Sequence, residues 1–585
     1  MPSRWKLATL TVLTILCGRV SDAQVPSTPA GHQLSEWLRV QDSLDPATMQ
    51  EFIEKYMPFA RVEGMLANRK QTGGFDIKRV QESSDTRIVV LAQARATQQF
   101  VTITLSVAPT EPHAIAGIQL RPTEPPADLA PPKLTPTEAA AARNGAPFRQ
   151  FSAWLEAFNA GDRSRMSQFI KEHAPFMQVD GQMNFRERTG GLELRALERA
   201  TATTLTGLVQ ERDSDQFGRF TIVVEASEPY RITQLPIQAI PRPAGFELPP
   251  MTDAEVVGAL RDRLTKDAAA DSFSGVALVA KRGTILFDEA YGNSDREKKT
   301  ANTIDTRFRL GSMNKMFTAV AVLQLVQAGK IALTDPFGKY VPDYPNAAVA
   351  TKVTIHHLLT HTGGTGDFFG PEYNAHRLEL RSLNDYVALF GKRDLEFEPG
   401  SRWAYSNYGF LLLGVIIERV SGQTYYDYVA DHIYTPAMMT RSGSEPESAT
   451  AVDRSIGYQR TPDGRWVPNT DTLPYRGTSA GGGYSTAGDL LRFAAALTSH
   501  KLLSAEYTDL LITGKVESGP GRKYAYGFED GRQAGEGAVG HSGGAPGMNA
   551  DLRIYPKSGY VVVVLSNFGP PAAQREAQFL QLRLR

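Results

Sequence analysis

The chain has 585 residues, well beyond the roughly 100–200 of a single domain, which predicts two to four domains. Hydrophobic residues make up 42% and charged residues 22%, a mixture typical of globular proteins with a substantial core. Lys plus Arg number 63 and Asp plus Glu number 63, so the formal net charge is zero. This balance argues against nucleic acid or an anionic membrane surface as the main partner.

The first 23 residues have the pattern of an export signal. Arg4 and Lys6 give a positive start, and Leu7–Leu16 is mostly apolar but too short to cross a bilayer. Small residues in Ser21-Asp22-Ala23 predict cleavage after residue 23. The only cysteine, Cys17, lies inside this segment, so the mature chain is expected to contain no disulfide or thiol site. We therefore expect a periplasmic or secreted protein without a membrane span.

Two segments of the first half repeat each other at a constant offset. The matching pairs are Leu34–Leu38 with Phe151–Leu155, Phe52–Lys55 with Phe169–Glu172, Thr72–Gly74 with Thr189–Gly191, and Glu111–Pro112 with Glu228–Pro229. Two copies at so long a period indicate duplicated domains rather than a solenoid of short repeats. The predicted copies span residues 24–122 and 148–243, with a Pro-rich linker at 123–147 between them.

Each copy changes from helix-like to strand-like spacing along its length. Arg87–Leu91, Val101–Val107 and Phe220–Val224 are rich in β-branched residues and predict strands. Both copies are therefore predicted to be α+β modules. Helices followed by an antiparallel sheet resemble the nuclear-transport-factor-like cone in element order. We find no catalytic constellation in either copy.

Residues 252–585 follow a second Pro-rich stretch at Pro241–Pro250 and differ from the first half in their pattern of apolar residues. Ser274–Ala280 and Thr284–Phe287 predict a hairpin. Helices are predicted over Ser312–Ala328 and Tyr408–Val420, and a last strand over Tyr560–Leu565. Strands at both ends with helices between them predict an α/β sandwich whose first and last strands meet in one sheet.

Ser312-Met313-Asn314-Lys315 stands at the start of the first of these helices. Residues three apart on a helix share a face, so the Ser312 hydroxyl and the Lys315 amine can meet. A serine is a poor nucleophile until a neighbour takes its proton, and a lysine can do so when burial lowers its pKa. On this tetrapeptide alone, a serine that merely caps the helix is the simpler interpretation.

Two further motifs favour catalysis. Tyr405-Ser406-Asn407 precedes a long apolar helix, and Gly540-His541-Ser542-Gly543-Gly544 precedes a strand. With Ser312–Lys315, these motifs stand in the order that resembles serine β-lactamases and penicillin-binding proteins, and most of all the class C β-lactamase and esterase branch. The resemblance covers about Ser274–Phe568 and implies a β-lactamase/transpeptidase-like fold. Connecting segments that match the same family are Leu358–Gly364, Glu398–Ser401 and Ala480–Thr486.

The resemblance also implies a role for each matched residue. Ser312 would be acylated, Lys315 would accept its proton first, and Tyr405 would pass a proton to the leaving group and later activate water. The resemblance leaves both Lys315 and Tyr405 as candidates for the acylation base, because the identity of this base is disputed across the superfamily. Asn407 would bind the substrate amide or Lys315. The N–H groups of Ser312 and Gly544 would form the oxyanion hole.

One motif departs from the pattern of most β-lactamases, which carry Lys-Thr-Gly where this chain has His541-Ser542-Gly543. We expect these three residues, with Asn407 and Gly544, to bind substrate. Because an ordinary imidazole titrates near pH 6.5, His541 is expected to attract a substrate carboxylate only weakly and in a pH-dependent way. This departure argues against efficient β-lactam hydrolysis, but not against hydrolysis of an ester or peptide.

Two other patterns are set aside. Gly540–Gly544 also fits the lipase pattern with Ser542 as nucleophile. In a lipase, however, the nucleophilic serine lies between a strand and a helix, and the catalytic histidine comes later in the chain. His357 and His361 are four apart, yet Leu358 replaces the glutamate of a zinc-protease motif. We predict neither a metal nor another cofactor.

The sequence therefore predicts an exported serine hydrolase that acts on a small ester, amide or peptide. A D-Ala-D-Ala-type carboxypeptidase, a D-aminopeptidase and a penicillin-binding sensor without turnover remain alternatives. The oligomeric state stays open.

Overall fold

The computed structural model describes residues 24–584, apart from 97–99, 124–125, 127, 130–133, 241, 250, 450–452, 462–463, 520–521 and 533–536. The predicted export signal and Cys17 lie outside the described residues. Contacts group the chain into two compact units. The first contains 24–148, 198–206 and 221–236 of the described part, and the second contains 149–197, 207–220 and the rest of the chain from 237.

The first copy consists of helices followed by a sheet. Thr28 and Asp45 cap the first two helices by accepting backbone N–H bonds, and each is followed by a proline that cannot donate one. The sheet has the order β1-β2-β3-β4, with each pair antiparallel. The elements are α1 (Pro29–Ser43), α2 (Pro46–Tyr56), α3 (Val62–Thr72), β1 (Phe75–Ser83), β2 (Arg87–Ala94), β3 (Phe100–Val107) and β4 (Ile115–Pro122).

The second copy repeats this succession of helices and strands, with a sheet of order β5-β6-β7-β8 to which β9 adds beside β7. Helices followed by a sheet are thus found in both segments, as predicted, while their origin as duplicated domains and their likeness to a nuclear-transport-factor-like cone stay predictions. The elements are α4 (Pro136–Ala142), α5 (Ala146–Ala160), α6 (Arg163–His173), α7 (Val179–Thr189), β5 (Leu192–Ala200), β6 (Thr204–Glu211), β7 (Phe217–Val224), β8 (Ile232–Gln234) and β9 (Ile237–Ile240).

The remaining residues build a sheet with helices on both faces. Its order is β11-β10-β23-β22-β21-β20-β19-β18. The first part contains α8 (Asp253–Ala269), β10 (Gly275–Lys281), β11 (Thr284–Tyr291), β12 (Asn293–Asp295), β13 (Thr300–Ala301), β14 (Phe308–Arg309), α9 (Lys315–Gln327), α10 (Ala347–Lys352), α11 (Ile355–Leu359), α12 (Pro371–His376) and α13 (Leu383–Phe390). There follow α14 (Asn407–Ser421), α15 (Tyr425–Val429), α16 (Thr435–Ala437), β15 (Tyr458–Arg460), β16 (Trp466–Pro468), β17 (Tyr484–Ser485), α17 (Ala487–Thr498), α18 (Ala505–Ile512), β18 (Val516–Gly519), β19 (Arg522–Tyr524), β20 (Glu529–Asp530), β21 (Val539–Ala545), β22 (Met548–Ile554), β23 (Tyr560–Ser566) and α19 (Ala572–Gln581).

The strand pairing confirms the predicted closure of this sheet. Strands β10 and β11 form the predicted hairpin, and β10 also pairs antiparallel with β23, so that Gly275 lies opposite Ser566. Along β10, Val276 and Leu278 belong to the core that contains α9 and α14, whereas Ala277 and Val279 belong to the core that contains α8 and α19. A strand that is covered on both faces has a nearly continuous run of apolar residues in its sequence, and β10 has such a run.

Helix α9 passes through the interior of the larger core. Residues from Lys315 to Leu323 along it are all buried. The predicted helix from Ser312 begins instead with a 3₁₀ turn over Gly311–Asn314, and α9 starts at Lys315. In the part of the chain that the structure describes, no helix is both long and apolar enough to cross a bilayer.

Candidate active site

Ser312 lies on a tight turn between β14 and α9. Gly311, just before it, has φ 56°, a left-handed conformation that favours glycine. A Cβ on Gly543 would lie 1.8 Å from the Leu310 carbonyl oxygen, so β21 packs directly against this turn. Ser312 is partly exposed and stands at the positive end of the α9 dipole. This placement suits a nucleophile that develops negative charge nearby.

The Lys315 amine lies beneath Ser312 and is fully buried. Its Nζ donates to Ser312 Oγ at 3.3 Å, to Asn407 Oδ1 at 2.7 Å and to the Ala480 carbonyl at 2.5 Å. Burial lowers the Lys315 pKa to about 7, although the negative charge of Asp367 acts in the opposite direction. Near neutral pH, a large fraction of Lys315 can therefore accept a proton.

Tyr405 and Asn407 flank Ser406, which caps α14 by accepting the Gly409 N–H at 2.9 Å. The Tyr405 ring centroid lies 4.7 Å from Lys315 Nζ, and its side chain hydrogen-bonds Ser312. Burial raises the Tyr405 pKa well above its ordinary value, which keeps the phenol protonated. Asn407 Nδ2 donates to Asp367 Oδ2 at 2.6 Å, which leaves its Oδ1 for Lys315.

The backbone of Gly544 completes this arrangement. A Cβ on Gly311 would lie 3.0 Å from the Gly544 nitrogen, so the Gly544 N–H stands beside the turn that carries Ser312. A cavity of about 620 Å³, here called the active-site cavity, opens over these groups. Ser312, Tyr405, Asn407 and Gly544 all line it.

His541, Ser542 and Gly543 are not among the described residues that line the active-site cavity. His541 is buried; its Nδ1 donates to the Ser542 carbonyl at 2.5 Å, and the Tyr524 hydroxyl donates to its Nε2 at 2.9 Å. Burial lowers the His541 pKa to about 4, although Glu529 opposes this shift. The expectation that His541 titrates near pH 6.5 against a substrate carboxylate is therefore wrong, because the imidazole is neutral at neutral pH and is held by Tyr524.

Comparison with known proteins identifies the fold around this site. A family model described as beta-lactamase matches residues 260–585. The chain belongs to the β-lactamase family. This match confirms the resemblance drawn from the three motifs.

Individual proteins are also similar to this chain. A penicillin-binding protein of Bacillus subtilis (strain 168) is 30% identical over 320 residues, which cover 50% of this chain and 68% of that protein. The esterase EstB of Burkholderia gladioli is 33% identical over 313 residues, covering 47% of this chain and 78% of that protein. A penicillin-binding protein from Bacillus halodurans matches in structure with a TM-score of 0.51 at 34% identity, over 55% of this chain and 99% of that chain.

The two patterns set aside in the sequence have structural explanations in this β-lactamase-family domain. Ser542 lies within β21, which a turn joins to β22, and not at a strand-to-helix elbow. His357 Nδ1 accepts the Thr354 N–H at 3.3 Å. His361 Nδ1 accepts the Ser406 N–H at 3.1 Å. Each histidine thus stabilises a separate piece of backbone, and His361 fixes the residue that follows Tyr405.

Sequence reasoning missed several groups around the site. Asp367 contacts Asn407, and the Ala480 carbonyl contacts Lys315. Asp367 lies outside the segments that resemble the family, and Ala480 begins one of them without a motif that assigns it a role. An aromatic wall of Phe368, Phe369 and Tyr373 also lines the cavity, and Phe369 is 58% exposed. In the sequence, the only indication of this aromatic wall is the pair of adjacent phenylalanines in a glycine-rich loop.

Proposed function

We propose that this chain is an exported serine hydrolase that acts through an acyl-enzyme on Ser312, with an ester, amide or peptide as substrate. The observation that carries the proposal is the buried Lys315 amine, 3.3 Å from Ser312 Oγ, with a pKa lowered to about 7. Membership of the β-lactamase family supports it. The relatives named as penicillin-binding protein and esterase agree with such a substrate range.

In the first step, neutral Lys315 takes the Ser312 proton while Oγ attacks the substrate carbonyl carbon. The carbonyl oxygen becomes an oxyanion, and the N–H groups of Ser312 and Gly544 donate to it. When the bond to the leaving group breaks, the leaving atom takes a proton through the Tyr405 phenol, which Lys315 then resupplies. In the second step, water attacks the carbonyl carbon of the acyl-enzyme and gives up its proton to the same pair, Tyr405 and Lys315. Ser312 Oγ takes a proton back as its bond to the acyl group breaks, and the acid is released.

The proton affinities of the two candidate bases favour Lys315 over Tyr405. The Lys315 pKa of about 7 makes its free amine abundant near neutral pH. The Tyr405 pKa is raised by burial, so a phenolate is scarce there. A useful general base has a pKa near the working pH. Tyr405 is thus assigned as a neutral proton relay and Lys315 as the base.

A substrate panel tests the proposed function on one preparation of the full chain. We expect p-nitrophenyl esters, D-amino-acid peptides or both to show a burst of product equal to the enzyme concentration, followed by steady turnover. A chromogenic cephalosporin should turn over more slowly, because no lysine stands at position 541. A burst without steady turnover on every substrate would instead identify a sensor, and the absence of any burst or turnover would contradict the proposal.

The pH dependence of catalysis tests the assignment of Lys315 as base. For a neutral ester, kcat/KM should rise with pH through a midpoint near 7 as Lys315 loses its proton. The charge of Asp367 raises the Lys315 pKa, so Asp367→Asn should move this midpoint to lower pH. Asp343→Asn, which changes a surface carboxylate paired with Arg419, serves as the control and should leave the midpoint in place. A flat profile between about pH 6 and 8 would exclude Lys315 as the titrating base.

A further inference from the structure

A second cavity adjoins the active-site cavity along the turn between β21 and β22. It has a volume of about 650 Å³ and is here called the distal cavity. The two cavities share Gly544, Ala545 and Pro546 as walls. A substrate whose carbonyl oxygen faces the Gly544 N–H therefore has the distal cavity within reach of one of its ends.

The distal cavity draws its walls from two parts of the second compact unit. Arg186 and Glu187 come from helix α7 of the second sequence copy. Other charged walls, Asp271, Arg460 and Arg575, come from the hydrolase domain. Helix α7 thus contributes directly to a cavity that begins at the candidate oxyanion hole.

Two of the five charged residues that line the distal cavity already have a partner of opposite charge. Asp271 accepts from Arg296 at 2.7 and 2.8 Å and from the Trp466 indole. The guanidinium of Arg575 pairs with Asp213 at 2.8 Å.

Neither of the two remaining arginines forms a close ion pair with a carboxylate among the described residues, although Asp271, which is already paired with Arg296, attracts Arg460. Arg186 Nε is buried, and no hydrogen bond to it is formed within the described part of the chain. Arg460 is exposed, with its guanidinium 5.2 Å from the centroid of the Trp466 ring. Of the two acidic residues that line the cavity, Asp271 is already paired with Arg296, which leaves Glu187 to balance these two cations. Two guanidinium groups against one carboxylate leave an excess of positive charge.

We propose that the substrate spans both cavities and that the distal cavity binds a carboxylate at the end remote from the scissile bond, through Arg186 and Arg460. Guanidinium groups match carboxylates in shape and can donate two parallel hydrogen bonds. This inference rests on the proposed hydrolase function and narrows its substrate to an elongated, acidic ester, amide or peptide. It also assigns the second sequence copy a part in substrate selection.

The test compares substrates that differ only in a remote charge. The acyl series pairs p-nitrophenyl monoesters of linear dicarboxylic acids with their methyl-capped diesters, over several chain lengths. The leaving-group series pairs D-amino-acid peptides that end in a free carboxylate with the same peptides ending in an amide. In one series, the free carboxylate should raise kcat/KM about tenfold, the worth of a charge-assisted hydrogen bond.

Arg186→Gln and Arg460→Gln should each bring the ratio of kcat/KM for the free substrate to that for the capped substrate closer to one. Arg188→Gln, on the same helix but outside the cavity wall, is the matched control and should retain the preference. Binding of the free and capped compounds to the Ser312→Ala variant by calorimetry gives the same contrast without chemistry. Equal kcat/KM and equal affinity for free and capped compounds in both series would overturn the distal site. Loss of all turnover with the affinity contrast intact would instead overturn only the proposed hydrolase.

Discussion

Replacement of Ser312 by alanine is expected to abolish covalent labelling and to reduce turnover by about 10⁴-fold or more, since the proposed acyl-enzyme forms on the Ser312 hydroxyl. A fluorophosphonate probe should add to the wild-type chain once, and intact-mass analysis of Ser312→Ala should show no adduct. The alanine removes one oxygen from a partly exposed turn, so the variant should fold like the wild type. Its thermal unfolding midpoint checks this point.

Ser542→Ala is the matched control, because it removes the same oxygen from the competing lipase-type motif. Ser542 lies in β21 and is not among the described residues that line the active-site cavity. We therefore expect Ser542→Ala to keep single-site labelling, since any contribution of Ser542 to substrate binding changes KM and not the labelled residue. The opposite pattern, with labelling lost in Ser542→Ala and kept in Ser312→Ala, would contradict the assignment of Ser312.

The elements that the sequence predicted best are those with local causes. Helical spacing brought Ser312 and Lys315 together, and their side chains lie 3.3 Å apart in the structure. The apolar runs at Ser274–Ala280 and Tyr560–Leu565 indicated buried strands, and these strands pair in one sheet. In both cases the pattern reports burial or spacing directly, so no knowledge of distant contacts is needed.

The rest of the site depends on contacts between distant segments. The Lys315 amine is held by the Ala480 carbonyl, a backbone group that no side-chain motif can reveal. Asp367 reaches Asn407 from a loop 40 residues earlier in the chain. The sequence predicted that the motif with His541 precedes a strand, whereas the motif lies within β21. The environment of His541 could not be predicted either, because Tyr524 and burial, rather than the motif, decide its charge.

Lys315→Arg is expected to reduce the rate of acylation by about 10²-fold or more, the usual contribution of a general base. Arginine keeps the positive charge but cannot give up its proton at neutral pH. Lys315→Met should be equally slow, since it removes both charge and base. Both variants should still bind substrate, because Lys315 does not line the active-site cavity. Pre-steady-state measurement of the burst with a p-nitrophenyl ester separates acylation from binding.

Two controls distinguish a base from a structural charge at this buried position. Lys330→Arg, at an exposed site just beyond the same helix, should leave the burst unchanged. Small primary amines should restore part of the burst in Lys315→Ala, because they can enter the vacated space and accept the serine proton, but they should do nothing for Ser312→Ala. A Lys315→Arg variant that acylates at the wild-type rate would show that Lys315 acts only through its charge. The proton would then have to leave Ser312 through Tyr405, despite the raised pKa of that phenol.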